Sequence, residues 1–107
     1  MNTDDPHPVL STAPWAVLLV FFMPPELVNR EQRAELTTLA DSIQTQLGSL
    51  VRVLRVDETS HPDVMQSFAI TQTPAFVLIR RGVELWRQQG LSDDVTLVAL
   101  IRRLLTG

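Results

Sequence analysis

The side chains able to carry chemistry in this chain are few, and their spacing suits very little of it. There is no cysteine among the 107 residues, so no thiolate is available to attack a disulfide or to hold a soft metal. The histidines are His7 and His61, each beside a proline and far apart in sequence. Without cysteine and without a His-x-x-x-His pair, no metal site is expected. No Gly-x-Ser-x-Gly elbow and no phosphate-binding glycine loop occurs. No cofactor is expected.

Polar candidates remain. Glu26 and Asn29 stand close together and could be imagined as a polar centre, but a glutamate at a helix start more simply answers the helix dipole. Asp57 and Glu58 follow a strand-like run, at the edge where open α/β sheets often bind ligands. They could hold a cation or a basic partner; a solvated loop is the plainer reading. Arg80-Arg81 and Arg102-Arg103 read first as surface and dipole residues, and secondarily as contacts for phosphate or an acidic protein. Trp86 shares a face with Glu84 and Gln88 by strand alternation. It either packs beneath a helix or stands on an edge strand as an anchor for a partner.

Composition describes one ordinary globular domain, 45% apolar and 20% charged, long enough to bury a core without disulfides or metals. Net charge is −3, which gives no field favouring nucleic acid or an anionic membrane. All nine basic residues are arginine, a bias ascribed to genome composition more readily than to recognition. The apolar run from Trp15 to Met23 is far short of the roughly 20 residues that span a bilayer. Asp4 and Asp5 precede it and Pro24-Pro25 follow it, unlike a signal peptide. A cytoplasmic location with no membrane contact is the expectation.

The elements that would position these residues follow from periodicity. Residues 1–14 form an irregular lead-in, with a short edge strand at Val9-Leu10 as an option, and residues 15–107 form the domain. Val17–Phe22 is continuously apolar and rich in aromatic and branched residues, as in a strand covered on both faces. Pro24 and Pro25 end it. A helix from about Glu26 to Leu47 carries Leu36, Leu39, Ala40, Ile43 and Leu47 on one face, and Gly48 stops it.

Leu50–Val56 is a second buried strand, interrupted by Arg52 and Arg55. Pro62 opens a short helix bearing Val64, Met65, Phe68 and Ala69, capped by Ser60 or His61. Ala75–Arg80 and Val83–Gln88 form a hairpin about Arg81-Gly82. Ser92 caps a last helix whose buried face is Leu97, Val98, Ile101, Leu104 and Leu105. Strand–helix–strand requires a parallel first pair with a right-handed crossover, and the hairpin is antiparallel. The predicted fold class is therefore α/β, a mixed four- to five-stranded sheet flanked by helices on both faces.

That order resembles the thioredoxin fold, and local residues agree with it from Ala16 to Leu105. Leu18–Phe22 resembles the strand leading into the thioredoxin active site. Phe68-Ala69-Ile70-Thr71-Gln72-Thr73-Pro74 resembles the segment ending in the family's cis-proline. Phe76-Val77-Leu78-Ile79-Arg80-Arg81-Gly82 is similar to the next strand and its hairpin glycine, and Gly90-Leu91-Ser92 to the opening of the last helix. The resemblance places Glu26, Leu27, Val28 and Asn29 where the family carries Cys-x-x-Cys, and Val20 where it carries a buried acid. Nucleophiles and proton-transfer group are absent together.

The resemblance thus implies a redox-inactive, non-catalytic domain that binds an unidentified protein or peptide, as a chaperone, assembly factor or scaffold. Cysteine-poor relatives that assist enzyme maturation fit this pattern. It implies a cis Thr73–Pro74 bond and a partner surface formed by Met23, Pro24, Pro25, Leu27, Thr73 and Pro74, unless those apolar side chains plug the core. Two alternatives stay open: a non-thiol enzyme related to glutathione-using proteins of this fold, and a structural subunit that dimerises through its edge strand or the Pro24–Val28 surface.

Overall fold

The computed structural model describes residues 16–24 and 30–106. Its elements are β1 (Ala16–Phe22), α1 (Arg30–Leu47), β2 (Val51–Asp57), α2 (Pro62–Ser67), β3 (Ala75–Arg80), β4 (Val83–Gln89) and α3 (Asp94–Thr106), with one 3-10 turn at Gly48–Leu50. The lead-in, the Val9-Leu10 option and the proposed first turn of α1 at Glu26–Asn29 lie outside the described residues.

β1 has no polar side chain to offer water, and every residue of it is buried. It sits inside the sheet, whose order is β2-β1-β3-β4. β2 runs parallel to it, in register Ala16↔Val51 through Phe22↔Asp57. β3 runs antiparallel on its other side, from Ala16↔Arg80 to Phe21↔Ala75, and β4 is antiparallel to β3. The sheet is the mixed one expected, with four strands among the described residues.

Alternation divides the core in two. Ala16, Leu18, Val20 and Phe22, with Phe76 and Leu78, meet Leu36, Ile43 and Leu47 of α1 and Leu97, Val98 and Ile101 of α3. Val17, Leu19, Phe21, Val77 and Ile79 face the other way, toward Met65 of α2 and Val56. Phe68 packs edge-on to Phe21 with centroids 6.0 Å apart. Helices thus cover both faces. Three details depart from the sequence reading. Leu104 is 37% exposed, α2 stops at Ser67, and Ala69 takes a left-handed φ of 55° that removes it from the helical face.

Local chemistry sets the turns. Arg81 and Gly82 both have positive φ, 54° and 78°, the two-residue geometry that matches strand twist in a tight hairpin. α3 is capped by Asp93 and not by Ser92. The Asp93 carboxylate accepts from the Thr96 N–H at 2.8 Å, and its backbone carbonyl accepts from Leu97. His61 occupies the N-cap of α2 without a side-chain cap bond.

Both sheet edges are modified. On β2, the Gln44 amide reaches across from α1, donating to the Val51 carbonyl at 2.8 Å and accepting from the Val53 N–H at 2.9 Å. One side chain thus does the work of a neighbouring strand. On β4, a bulge shifts the register so that Leu78 faces Trp86 while Ile79 faces Glu84. This corrects the simple alternation. Glu84 lies on the face of Ile79, whereas Trp86 packs half-buried against the helix-covered cluster. The shift also puts Glu84 on the same face as Arg87, and the two pair at 2.7 Å, which unbroken alternation would forbid.

The core assignment is tested by truncation. Leu78→Ala should cost about 2–5 kcal/mol, whereas Leu91→Ala, at a residue 71% exposed, should stay within about 0.5 kcal/mol. Urea denaturation midpoints measure both.

Candidate functional site

The strand directions collect one set of chain ends. The registers Phe22↔Asp57, Phe21↔Ala75 and Ala75↔Gln89 bring the C-termini of β1, β2 and β4 together with the N-terminus of β3. The start of α1 supplies Arg33 and Thr37 to the same end.

The charges there neutralise one another. Arg33 donates to the Met23 carbonyl and to Asp57 Oδ1 at 2.8 Å. Arg55 Nε donates to Asp57 Oδ2 at 3.2 Å, and its other arm donates to Thr37 Oγ1 at 3.2 Å. Thr37 in turn donates to the Arg33 carbonyl at 3.0 Å. Both guanidinium groups lie over the Phe22 ring, Arg55 at 3.9 Å and Arg33 at 5.6 Å from its centroid, within cation–π range. Burial raises the Asp57 pKa, but the Arg33 hydrogen bond and the neighbouring Arg55 charge outweigh it, so the carboxyl is held below its ordinary value. Both Asp57 oxygens are therefore engaged, while Glu58 lies exposed in the following turn. The two carboxylates do not act as a pair.

The loop before β3 is built from backbone. The Thr73–Pro74 bond is cis, and Pro74 is buried while Thr73 is half-exposed. Gln89 Oε1 accepts from the N–H groups of Thr71 and Gln72 at 3.1 and 3.0 Å. The Gly90 N–H donates to the Pro74 carbonyl at 2.7 Å, from a glycine at φ 104° that a side chain would strain. Among the described residues, no backbone hydrogen bond involves Thr73.

Of the residues named as a partner surface, Met23 requires correction. It is 7% exposed and packs in the cluster of Phe22. The strand ends at Phe22, so alternation lapses there and the next side chain turns back over the core. Pro24 is half-buried. Pro25, Glu26, Leu27, Val28 and Asn29 lie outside the described residues. Val20 is completely buried among apolar side chains, so this position of β1 offers no proton donor. Sequence reasoning missed Arg33 and Gln89. Arg33 showed no signal beyond its place in the first turns of a helix, and Gln89 looked like one more polar residue at a strand end.

Two measurements probe this geometry. Met23→Asp should unfold readily, losing about 3 kcal/mol or more, because it buries an unpaired charge. For Asp57, a folded pKa below the unfolded value means stability that is present above the unfolded pKa. That stability is lost as pH falls through the folded one. Wild type should therefore lose more stability than Asp57→Asn as pH drops below about 4. At neutral pH the variant should be less stable by on the order of 1 kcal/mol. Denaturation series at several pH values give both results.

No family model and no curated protein matches the chain. Solved structures do. It is similar to thioredoxin-2, a component of malaria parasite protein secretion machinery, with a TM-score of 0.73 and 21% identity over 83% of this chain and 82% of that one. Chloroplastic thioredoxin z gives 0.73 and 14% identity over 100% and 93%. The germline-specific thioredoxin Deadhead of Drosophila melanogaster gives 0.71 and 19% identity over 85% and 82%. Identities this low bear on the fold. The chain has a thioredoxin-like fold and no cysteine.

Proposed function

We propose that this domain acts by protein–protein contact, as a chaperone, assembly factor or scaffold, and carries out no catalysis. The observation that supports it most is the pairing of a thioredoxin-like fold with the complete lack of cysteine. Thiol–disulfide exchange has no nucleophile to begin it. Among the described residues, Arg33, Arg55 and Asp57 at this end of the sheet are engaged with one another.

Thr73 is the focus of the proposal. This residue is half-exposed and its backbone has no partner among the described residues. Gln89 holds the loop before it at Thr71 and Gln72, and Gly90 holds Pro74 after it. An extended polypeptide laid beside it would gain main-chain hydrogen bonds, as in strand addition. Pro24, and in the sequence reading Pro25 and Leu27, would supply apolar contact. Met23 is buried in the core cluster and is not part of that surface. Cytoplasmic residence belongs to the same proposal and rests on composition; among the described residues no helix is long and apolar enough to cross a membrane.

Site-specific photo-crosslinking tests this reading. A benzophenone side chain at Thr73 should trap discrete protein adducts in cells, while one at the exposed Arg52 should trap few. Gln89→Ala, which frees the loop but removes only exposed hydrogen bonds, should lower the Thr73 yield several-fold with Tm nearly unchanged. Equal labelling at Arg52 and Thr73, or none at Thr73, would overturn the proposal.

A further inference from the structure

Strand β2 stands at one edge of the sheet, and a single side chain holds its outer rim. Successive residues of a strand point their backbone groups to opposite edges. Arg52, Leu54 and Val56 therefore face β1, while Val51, Val53, Arg55 and Asp57 face outward. The Gln44 amide donates to the Val51 carbonyl at 2.8 Å and accepts from the Val53 N–H at 2.9 Å. It also donates to the Gly48 carbonyl at 3.1 Å. Farther along, the Asp57 carbonyl accepts from the His61 N–H at 2.8 Å. Between these closures the Val53 carbonyl and the Arg55 N–H have no partner among the described residues.

A primary amide presents a carbonyl acceptor and N–H donors in one plane, as a peptide unit does. Gln44 stands where the peptide group of a further strand would stand, and it makes that group's bonds. Space lies on either side of it. A cavity of about 370 Å³ is bordered by Gln44, Gly48, Ser49, Val51 and Arg52. Another of about 150 Å³ is bordered by Gln44, Phe22, Thr37, Asp41, Val53 and Arg55.

We propose that the outer edge of β2 is a strand-addition site for an extended segment of another protein, kept closed by Gln44 as an intramolecular stand-in. The position of α1 selects that occupant over a second copy of this chain. α1 supplies Thr37, Asp41 and Gln44 to the groove, so it lies over the edge itself. Joining two β2 edges about a two-fold axis sets the strands about 4.8 Å apart. It also brings both α1 helices to one face at a similar spacing, whereas packed helices need about 8–10 Å.

A lone extended segment carries no helix and passes beneath α1. Main-chain hydrogen bonds hold it, and side chains two residues apart, about 7 Å from one another, fall toward the two cavities in turn. Opening the site needs only a rotation of the half-buried Gln44 side chain. α1 itself stays anchored through Leu36, Ile43 and Leu47.

This inference is independent of partner capture at Thr73, and NMR of the full chain separates the two. In the wild type the Val53 amide should exchange at least about tenfold more slowly than the Arg55 amide. Gln44→Ala, which keeps a strong helix former in α1, should bring the two rates together. A short labelled peptide of alternating threonine and valine between terminal glutamates serves as the probe. It should bind Gln44→Ala about tenfold more tightly than wild type, read by fluorescence anisotropy, and shift the Val53 and Arg55 resonances but not those of Thr73. Its fully N-methylated form should lose that gain. Equal exchange at Val53 and Arg55 in the wild type would overturn the proposal. So would Val53 protection that persists in peptide-free Gln44→Ala, because another part of this chain would then hold the edge. Peptide binding no tighter in the variant, or a gain that maps to Thr73, would contradict it equally.

Discussion

Everything in this domain depends on burying β1 on both faces and along both edges. Seven consecutive apolar residues leave no side of the strand fit for water. The chain must therefore place one strand on each flank and helices above and below. The parallel crossover through α1 and the later antiparallel hairpin accomplish that. The division of the core into two clusters follows from the two-residue period of β1. A one-residue slip would send the Leu18, Val20 and Phe22 set to the face now held by Val17, Leu19 and Phe21. The register is thus tied to the different companions of each face, long helices on one and the short α2 on the other.

The same constraint shapes the end of the sheet. Where β1 stops, its last ring, Phe22, needs cover, and Arg33 and Arg55 supply it with their guanidinium planes while Asp57 balances their charge. A cluster that reads in sequence as isolated surface charges is a lid over an aromatic ring. It engages Arg33, Arg55 and Asp57 with one another. Among the described residues, the main chain at Thr73 has no hydrogen-bond partner, and the proposed capture of a polypeptide rests on it.

Much of the fold was legible because its signals are local. The continuous apolar run of β1, the Arg81-Gly82 hairpin and the helical spacing of Leu36, Ile43 and Leu47 each fall within one element and obey its own period. The failures come where a contact spans elements or a period breaks. No pattern in β4 announces that Leu85 will bulge, so Glu84 was assigned to the wrong face. Asp93 outcompeted Ser92 as the cap because both residues suit the role and only the chain's path into α3 decides between them. Met23 reads in sequence either as partner surface or as a plug of the core, and its burial in the cluster of Phe22 decides for the plug. Gln44 and Arg33 act across gaps of seven or more residues, on groups that no periodicity links to them.

Native-state hydrogen exchange puts the central account to its most direct test, since it reads the buried strand and the open loop in one experiment. Interior amides of β1, bonded alternately to β2 and β3, should exchange only through global unfolding and share its free energy. The Thr73 amide should exchange near the rate of an unprotected chain. Local opening of β1 well below the global free energy would remove the strand on which this account rests. Protection of Thr73 equal to that of β1 would show that the loop's backbone is already taken.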